Sequence, residues 1–315
     1  MTTADEFAGR TDPYRRELLA HCYRMLGSVH DAEDAVQETL LRAWRSRGTF
    51  DERRGPLRGW LYRIATNACL DALALSARRP LPSSLGQPSD APEGPLDPPA
   101  DRNAWLQPWP DALDPAAIAV SRDSVRLAFV AALQLLPPRQ RAVLILRDVL
   151  AWRAAEVAEA LGTSTAAVNS ILQRARARLA EADTGRVVEP AEPDARRLLD
   201  RYVSAFENAD VATITALLRD DAILEMPPRP TWFRGRLDVS RFLARIFATR
   251  CGADTWRLVP TAANEQPAAA VYLDGRPHSI QVLTVSGPSI ARIVAFQDPA
   301  LFEAFGLAAE APVRR

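Results

Sequence analysis

Lysine is absent from this chain of 315 residues: all 39 basic residues are arginine, and 39 acids balance them to a formal net charge of zero. That balance excludes a global field drawing the whole molecule to nucleic acid. The arginine bias, beside heavy alanine and proline use, fits a G+C-rich coding genome and specifies no mechanism. Cysteine is scarce. Cys22, Cys69 and Cys251 are odd in number, far apart and without a CxxC spacing, which argues against a disulfide framework or a zinc site and for a reducing compartment. No apolar run approaches the roughly 18 residues that a membrane helix needs. The N-terminal MTTADEFAGR has neither a basic n-region nor an apolar h-region. A cytoplasmic protein, neither exported nor membrane-spanning, is expected.

Locally the charge is uneven. Residues 119–182 hold nine arginines against five acids, a net +4. The stretch AAEVAEALGTSTAAVNSILQRARARL at 154–179 reads as two helices joined by a sharp turn. Ala158 is small where the helices cross, Gly162 supplies the turn, and Val168 and Ile171 can pack back onto Val157 and Leu161. Thr163 or Ser164 can cap the second helix, whose first turn (Thr165, Ala166, Ala167) is short enough to approach base edges. Arg174, Arg176 and Arg178 suit phosphates. This is a helix-turn-helix pattern. The competing reading is an αα-hairpin with a solvated basic face.

Residues 13–75 form a second helical block. Gly27-Ser28 breaks it, and Ser28 with Asp31 makes an N-terminal cap. Ala32, Ala35, Val36, Leu40, Ala43 and Trp44 then recur at helical spacing as one buried stripe. Opposite it stand Asp34, Gln37, Glu38, Leu41 and Arg45, either a contact surface or an ordinary solvated face. After a loop, a third helix is predicted from about 57 to 77.

DAEDAVQETLLRAW at 31–44 with GWLYRIATNACLDAL at 59–73 resembles region 2 of a bacterial sigma factor. LPPRQRAVLILRDVLAWRAAEVAEALGTSTAAVNSILQRARARL at 136–179 resembles region 4. With no acidic region before residue 13 and no helical region between the two, the layout is similar to the extracytoplasmic-function class. The resemblance implies all-α regions at 10–79 and 119–182, joined by a Pro-rich linker at 80–118. It further implies a non-enzymatic protein that brings core RNA polymerase, through its β′ and β subunits, to promoter DNA, with no cofactor or metal. Asp34, Gln37, Glu38 and Leu41 would dock on polymerase. Arg58, Tyr62, Arg63, Asn67, Arg78 and Arg79 would handle the melted −10 element, although core packing is the plainer reading for Trp60. Thr165, Ala166, Asn169 and Ser170 would face the −35 major groove, with Arg139, Arg141 and Arg174 on phosphates. The linker reads by composition as an extended spacer. The family places such a segment near the polymerase active-centre cleft. Trp105 and Trp109 are expected to pack on a neighbouring domain.

Beyond residue 190 the pattern changes. Ala195, Leu198, Leu199, Tyr202, Val203 and Phe206 mark an amphipathic helix; further helices follow at 211–218 and 237–248. Strands are predicted at 222–226, 256–260, 268–273, 278–285 and 290–297, with Asp274-Gly275 and Ser286-Gly287 as hairpin turns. Helices followed by one curled antiparallel sheet over 192–309 resemble the NTF2/SnoaL-like α+β cone, a superfamily of isomerases, cyclases and non-catalytic binding domains. The fold class expected is therefore multidomain: two all-α sigma regions, then an NTF2-like cone. An isomerase-type site needs a base and oxyanion donors. Glu225, Asp221, His278 and Tyr272 are available, without diagnostic spacing. Met226, Trp232, Phe233, Tyr272 and Phe296 would line a pocket for an unknown small ligand, or simply form core. The reading reached is a sigma factor regulated in cis by its cone. Its rivals are a helix-turn-helix regulator acting without polymerase, and an isomerase- or cyclase-type enzyme with a DNA-binding part.

Overall fold

The computed structural model describes residues 4–53, 55–75, 79–113, 126–181, 192–250 and 255–312. The chain divides into two compact units: Met1–Arg79 with Leu113–Thr184, and Pro80–Ala112 with Gly185–Arg315. No helix among the described residues is long and apolar enough to cross a membrane.

The first unit begins with helices α1 (Ala4–Thr11), α2 (Arg15–Leu26), α3 (Val29–Ser46) and α4 (Leu57–Leu75). Gly27 adopts φ 71° and its N–H closes on Tyr23 O at 2.7 Å, a left-handed cap that turns the chain sharply. Ser28 Oγ then accepts from Asp31 N at 3.2 Å and starts α3. Leu18, Cys22, Met25, Val29, Ala32, Val36, Leu61 and Cys69 bury the facing stripes. Of the stripe expected on α3, Leu40 and Trp44 are only half-buried. Arg47 covers Trp44, its guanidinium 3.7 Å from the ring centroid.

The same unit continues with α5 (Leu127–Gln134), α6 (Pro138–Leu144), a π-helical turn (Ile145–Val149), α7 (Ala154–Ala160) and α8 (Thr165–Glu181). Gly162 turns at φ 60°, and Ser164 rather than Thr163 caps α8, accepting from Ala167 N at 3.2 Å. Val168, Leu172 and Ala175 form the buried face of α8, and Ile171, on the same side of the helix, is half-buried. Arg141 joins the two helical blocks. Its side chain is 1 % exposed and donates to Met25 O at the end of α2, to Gln134 Oε1 at 2.6 Å, and to the carbonyls of Gln134 and Leu136 at 3.2 Å. Gln134 Nε2 in turn donates to Arg24 O.

The second unit holds α9 (Glu192–Glu207), α10 (Val211–Leu217), β1 (Leu218–Glu225), β2 (Trp232–Arg234), α11 (Arg236–Thr249), β3 (Trp256–Ala263), β4 (Gln266–Leu273), β5 (Arg276–Ser286), β6 (Ser289–Phe296) and α12 (Leu301–Ala304). The sheet runs β2-β1-β6-β5-β4-β3, antiparallel except for the β1–β6 pair. Leu198, Tyr202, Phe206, Phe242, Leu224, Phe233, Val271, Leu283 and Ile293 share one core between helices and sheet. The expected α+β cone is thus observed. β2 is an addition, and β3 reaches Ala263 through a hairpin at Asn264 and Glu265, whose φ angles are 55° and 58°.

Arg141→Leu should remove four hydrogen bonds, three of them to backbone carbonyls. It is expected to destabilise the first unit by about 2–4 kcal/mol, read as a lower urea midpoint. An unchanged midpoint would show that Arg141 is dispensable.

Candidate nucleic-acid interface

On α8, Thr165, Ala166, Asn169, Ser170 and Arg174 are all exposed. Their three- and four-residue spacing puts them on one face. Arg174 donates to Ser170 Oγ at 2.7 Å, which lays its guanidinium along that face. Arg139 is exposed near the start of α6. Arg176 is turned aside, bidentate on Asp148 at 2.9 and 2.7 Å. Arg141 offers no surface. Its expected role on phosphate is corrected, because every described bond of its guanidinium goes to the protein interior.

On α4, Asn67 is exposed and Arg63 half-buried one turn before it, with Trp60 a further turn back against Phe50 at 5.1 Å. The other residues expected on melted DNA are not presented. Tyr62 is 1 % exposed, edge-on to His21 at 5.1 Å, and burial pushes its phenol well above its ordinary value. Arg79 is 6 % exposed and pairs with Asp31 at 2.6 Å. Both assignments are corrected: these are core groups. Arg58 is spent on Glu17, both of whose oxygens its Nε meets at 3.0 and 2.9 Å. Arg78 lies outside the described residues.

On α3, Asp34, Gln37 and Leu41 are exposed, with Leu41 at 43 %. Glu38 shares their face but binds Arg42 at 2.6 Å, and Arg42 also reaches Asp71 at 2.7 Å. Such half-exposed pairs contribute about 0–1 kcal/mol each.

In the second unit the five expected pocket residues do not converge. Strand alternation sends Phe233 and Met226 into the helix-facing core, whereas Trp232, Tyr272 and Phe296 fall outside that core. The shared pocket is therefore corrected. Glu225 is fully buried, Asp221 is exposed and held by Arg219 at 2.6 Å, and Tyr272 donates to Ala308 O. His278 stands edge-on to Trp256, its pKa pushed down to about 4 by burial. Among the described residues no cluster of His, Cys, Asp or Glu can hold a metal.

Glu225 is instead an anchor for the segment that sequence composition reads as a spacer. It accepts from Ser83 N and from Arg292, both at 2.8 Å. From there the segment wraps the domain. Ser89 N donates to Trp232 O, Asp97 Oδ2 accepts from Thr231 at 2.7 Å, and Arg245 holds Glu93 and Gly94 carbonyls. Trp109 N and O both bond Asn264, at 2.8 and 2.9 Å, and Pro110 bridges Ala263. Trp105, Leu106 and Trp109 are buried, as expected of the tryptophans; the expected free spacer is corrected, because residues 80–112 belong to the folded unit. Composition hid this, since proline and acids conceal a docked strand whose receptor lies over 130 residues away.

Three family descriptions match in order: Sigma-70 region 2 over residues 12–79, Sigma-70 region 4 over 126–179, and a SnoaL-like domain over 199–296. The ECF RNA polymerase sigma factor SigG of Mycobacterium tuberculosis H37Rv is 49% identical over 318 residues, covering 96% of this chain and 84% of the relative. The chain belongs to the ECF RNA polymerase sigma factors. As such it directs promoter-specific transcription initiation. The ECF sigma factor SigJ of M. tuberculosis is 33% identical over 212 residues, covering 66% of this chain and 60% of the relative. The crystal structure of M. tuberculosis SigJ superposes with a TM-score of 0.66 at 26% identity, covering 96% of this chain and all of that one. The α8 face accordingly lies in sigma region 4, the α3 and α4 faces in region 2, and Glu225 in the SnoaL-like domain.

At the far end of the docked linker, Asp111 accepts from Glu265 N at 3.0 Å, and burial pushes its pKa up from 3.8 to about 6. The stability linked to this group is fully present below pH 3.8 and is lost as pH rises through about 6. Asp111→Asn keeps the acceptor and removes the charge. It should raise the melting temperature of the second unit at pH 7.5 and leave it unchanged near pH 3.8. An equal effect at both pH values would contradict this.

Proposed function

We propose a division of labour among the faces just described. On α8, Thr165, Ala166, Asn169 and Ser170 read base edges of the −35 duplex, and Arg174 and Arg139 hold its phosphates. Exposure and common facing support this reading. Arg63 and Asn67 of α4 meet the melted −10 strand, with Trp60 as a stacking surface. Asp34, Gln37 and Leu41, with Glu38, form the dock for the β′ subunit, an apolar anchor ringed by acidic and amide groups. The protein acts in the cytoplasm and performs no bond chemistry. The SnoaL-like domain serves it as a binding module, a reading favoured by the dispersal of Glu225, Asp221, His278 and Tyr272.

The domain regulates in cis, and the observation carrying this is the docked linker. A segment bonded through Ser83, Asp97 and Trp109 to the SnoaL-like domain cannot at the same moment thread a polymerase channel. Domain and polymerase compete for it, and the covalent tether favours the domain.

Two experiments test these roles. Asn169→Ala should relax selection at one −35 position, by about 1–3 kcal/mol, in duplexes drawn from a random pool. Arg174→Ala should instead weaken all duplexes and lower the salt slope by about one. Identical profiles would refute the division. A stop codon at Val187 removes the domain and should raise transcript yield with purified core polymerase by about two- to ten-fold. Asn264→Ala, which cuts one linker anchor, should move yield the same way. Equal yields from all three proteins would refute cis control.

A further inference from the structure

A cavity of about 340 Å³ opens beside α4, and no residue of α8 lines it. Its size falls at the lower end of pockets that hold small molecules, about 300–1,000 Å³. Phe50 and Trp60 form one aromatic wall, their rings 5.1 Å apart and tilted by 38°. Trp152 supplies another. All three rings are half-buried, so each still offers surface. Gly55 and Gly59 keep the space open: a Cβ on Gly59 would come no closer than 3.9 Å to a neighbour, and one on Gly55 would meet nothing within 4 Å.

Charge decides what such a cavity accepts. Arg58 is committed to Glu17 at 2.8 Å. Glu156 is committed to the start of α7, where Arg153 N and its guanidinium donate at 2.6 and 3.3 Å. Asp51 and Glu159 remain, against Arg63. Two carboxylates facing one guanidinium leave the described lining net negative. Glu159 is 71% exposed and lies 3.9 Å from Arg63 Nη1, too far for a firm ion pair. Asp51 is exposed and accepts from Arg53 N at 3.0 Å, which leaves lone pairs free. Among the described residues these acids do not form a group able to hold a metal ion. Aromatic faces carry negative potential and the carboxylates add to it, and an organic cation answers both.

We propose that this cavity binds a small organic cation, an ammonium group carried on an aromatic body. The ring lies against Phe50, Trp60 and Trp152, and the ammonium points towards Asp51 and Glu159. An anion of the same size is disfavoured, because it meets the same acids with only Arg63 to pair it. The site belongs to the sigma half of the chain, and the SnoaL-like domain contributes nothing to it. A ligand there stabilises the arrangement that completes its lining, by mass action.

The probes are naphthylethylammonium and naphthylpropanoate, matched in ring and chain but opposite in charge. Each is titrated calorimetrically into the full-length protein at low salt. The cation should bind about ten-fold more tightly than the anion. Asp51→Asn/Glu159→Gln alters only exposed side chains and should weaken the cation about ten-fold without weakening the anion. Arg63→Ala removes the opposing positive charge and should tighten the cation about two- to three-fold. Equal affinity for the two probes, or a cation affinity that the double variant leaves unchanged, overturns the site. So does a cation that Arg63→Ala weakens. The site does not depend on the −10 role of Arg63, and the same variant separates the two. A tighter cation with unchanged binding of random single-stranded DNA supports the site and sinks only the −10 role.

Discussion

A buried guanidinium holds the helical half of this protein together. Arg141 has surrendered its hydration for carbonyl oxygens at the end of α2 and in the turn after α5, with the Gln134 amide completing the set. Such a group tolerates no partial arrangement: each missing acceptor leaves positive charge in an apolar setting. The edge-on contact of Trp152 with Tyr62, at 6.1 Å, lies across the same seam.

The other half is organised by a different economy. The Pro-rich segment brings little backbone pairing of its own, so it adheres through separated anchors: a carboxylate under Ser83, a hydroxyl at Asp97, an amide against Trp109. Buried indoles supply the apolar area between them. Anchors this far apart need not be lost together.

Much of the fold is legible in the sequence because it follows period and punctuation. The Gly27-Ser28 break, the Gly162 turn and the Asp274-Gly275 hairpin each pair a residue type with a conformation that few others adopt. The hairpin at Asn264-Glu265 escapes notice because it lacks the Asn-Gly signature, although Asn264 takes the positive φ and also receives Trp109. On the site, exposed α8 residues follow from helical spacing, and local spacing reveals their common face. Burial is less local. Tyr62, Arg79 and Arg141 look like DNA contacts in a linear text, since nothing near them names Glu17, Asp31 or Met25 as partners. The pocket residues fail for the same reason: neighbours Trp232 and Phe233 differ in destination by a half-turn of one strand.

The linker is made long before its seat. Ser83 leaves the ribosome well ahead of Glu225, 142 residues later, and Trp109 precedes Asn264 by 155. At roughly 5–20 residues per second, synthesis of those intervening stretches takes about 7–30 s. Region 4, at 126–179, is completed part-way through that interval, and from then on the nascent chain carries both sigma regions before the residues that hold the segment between them. A newborn molecule thus has a linker without a seat, and translation itself sets how long that lasts.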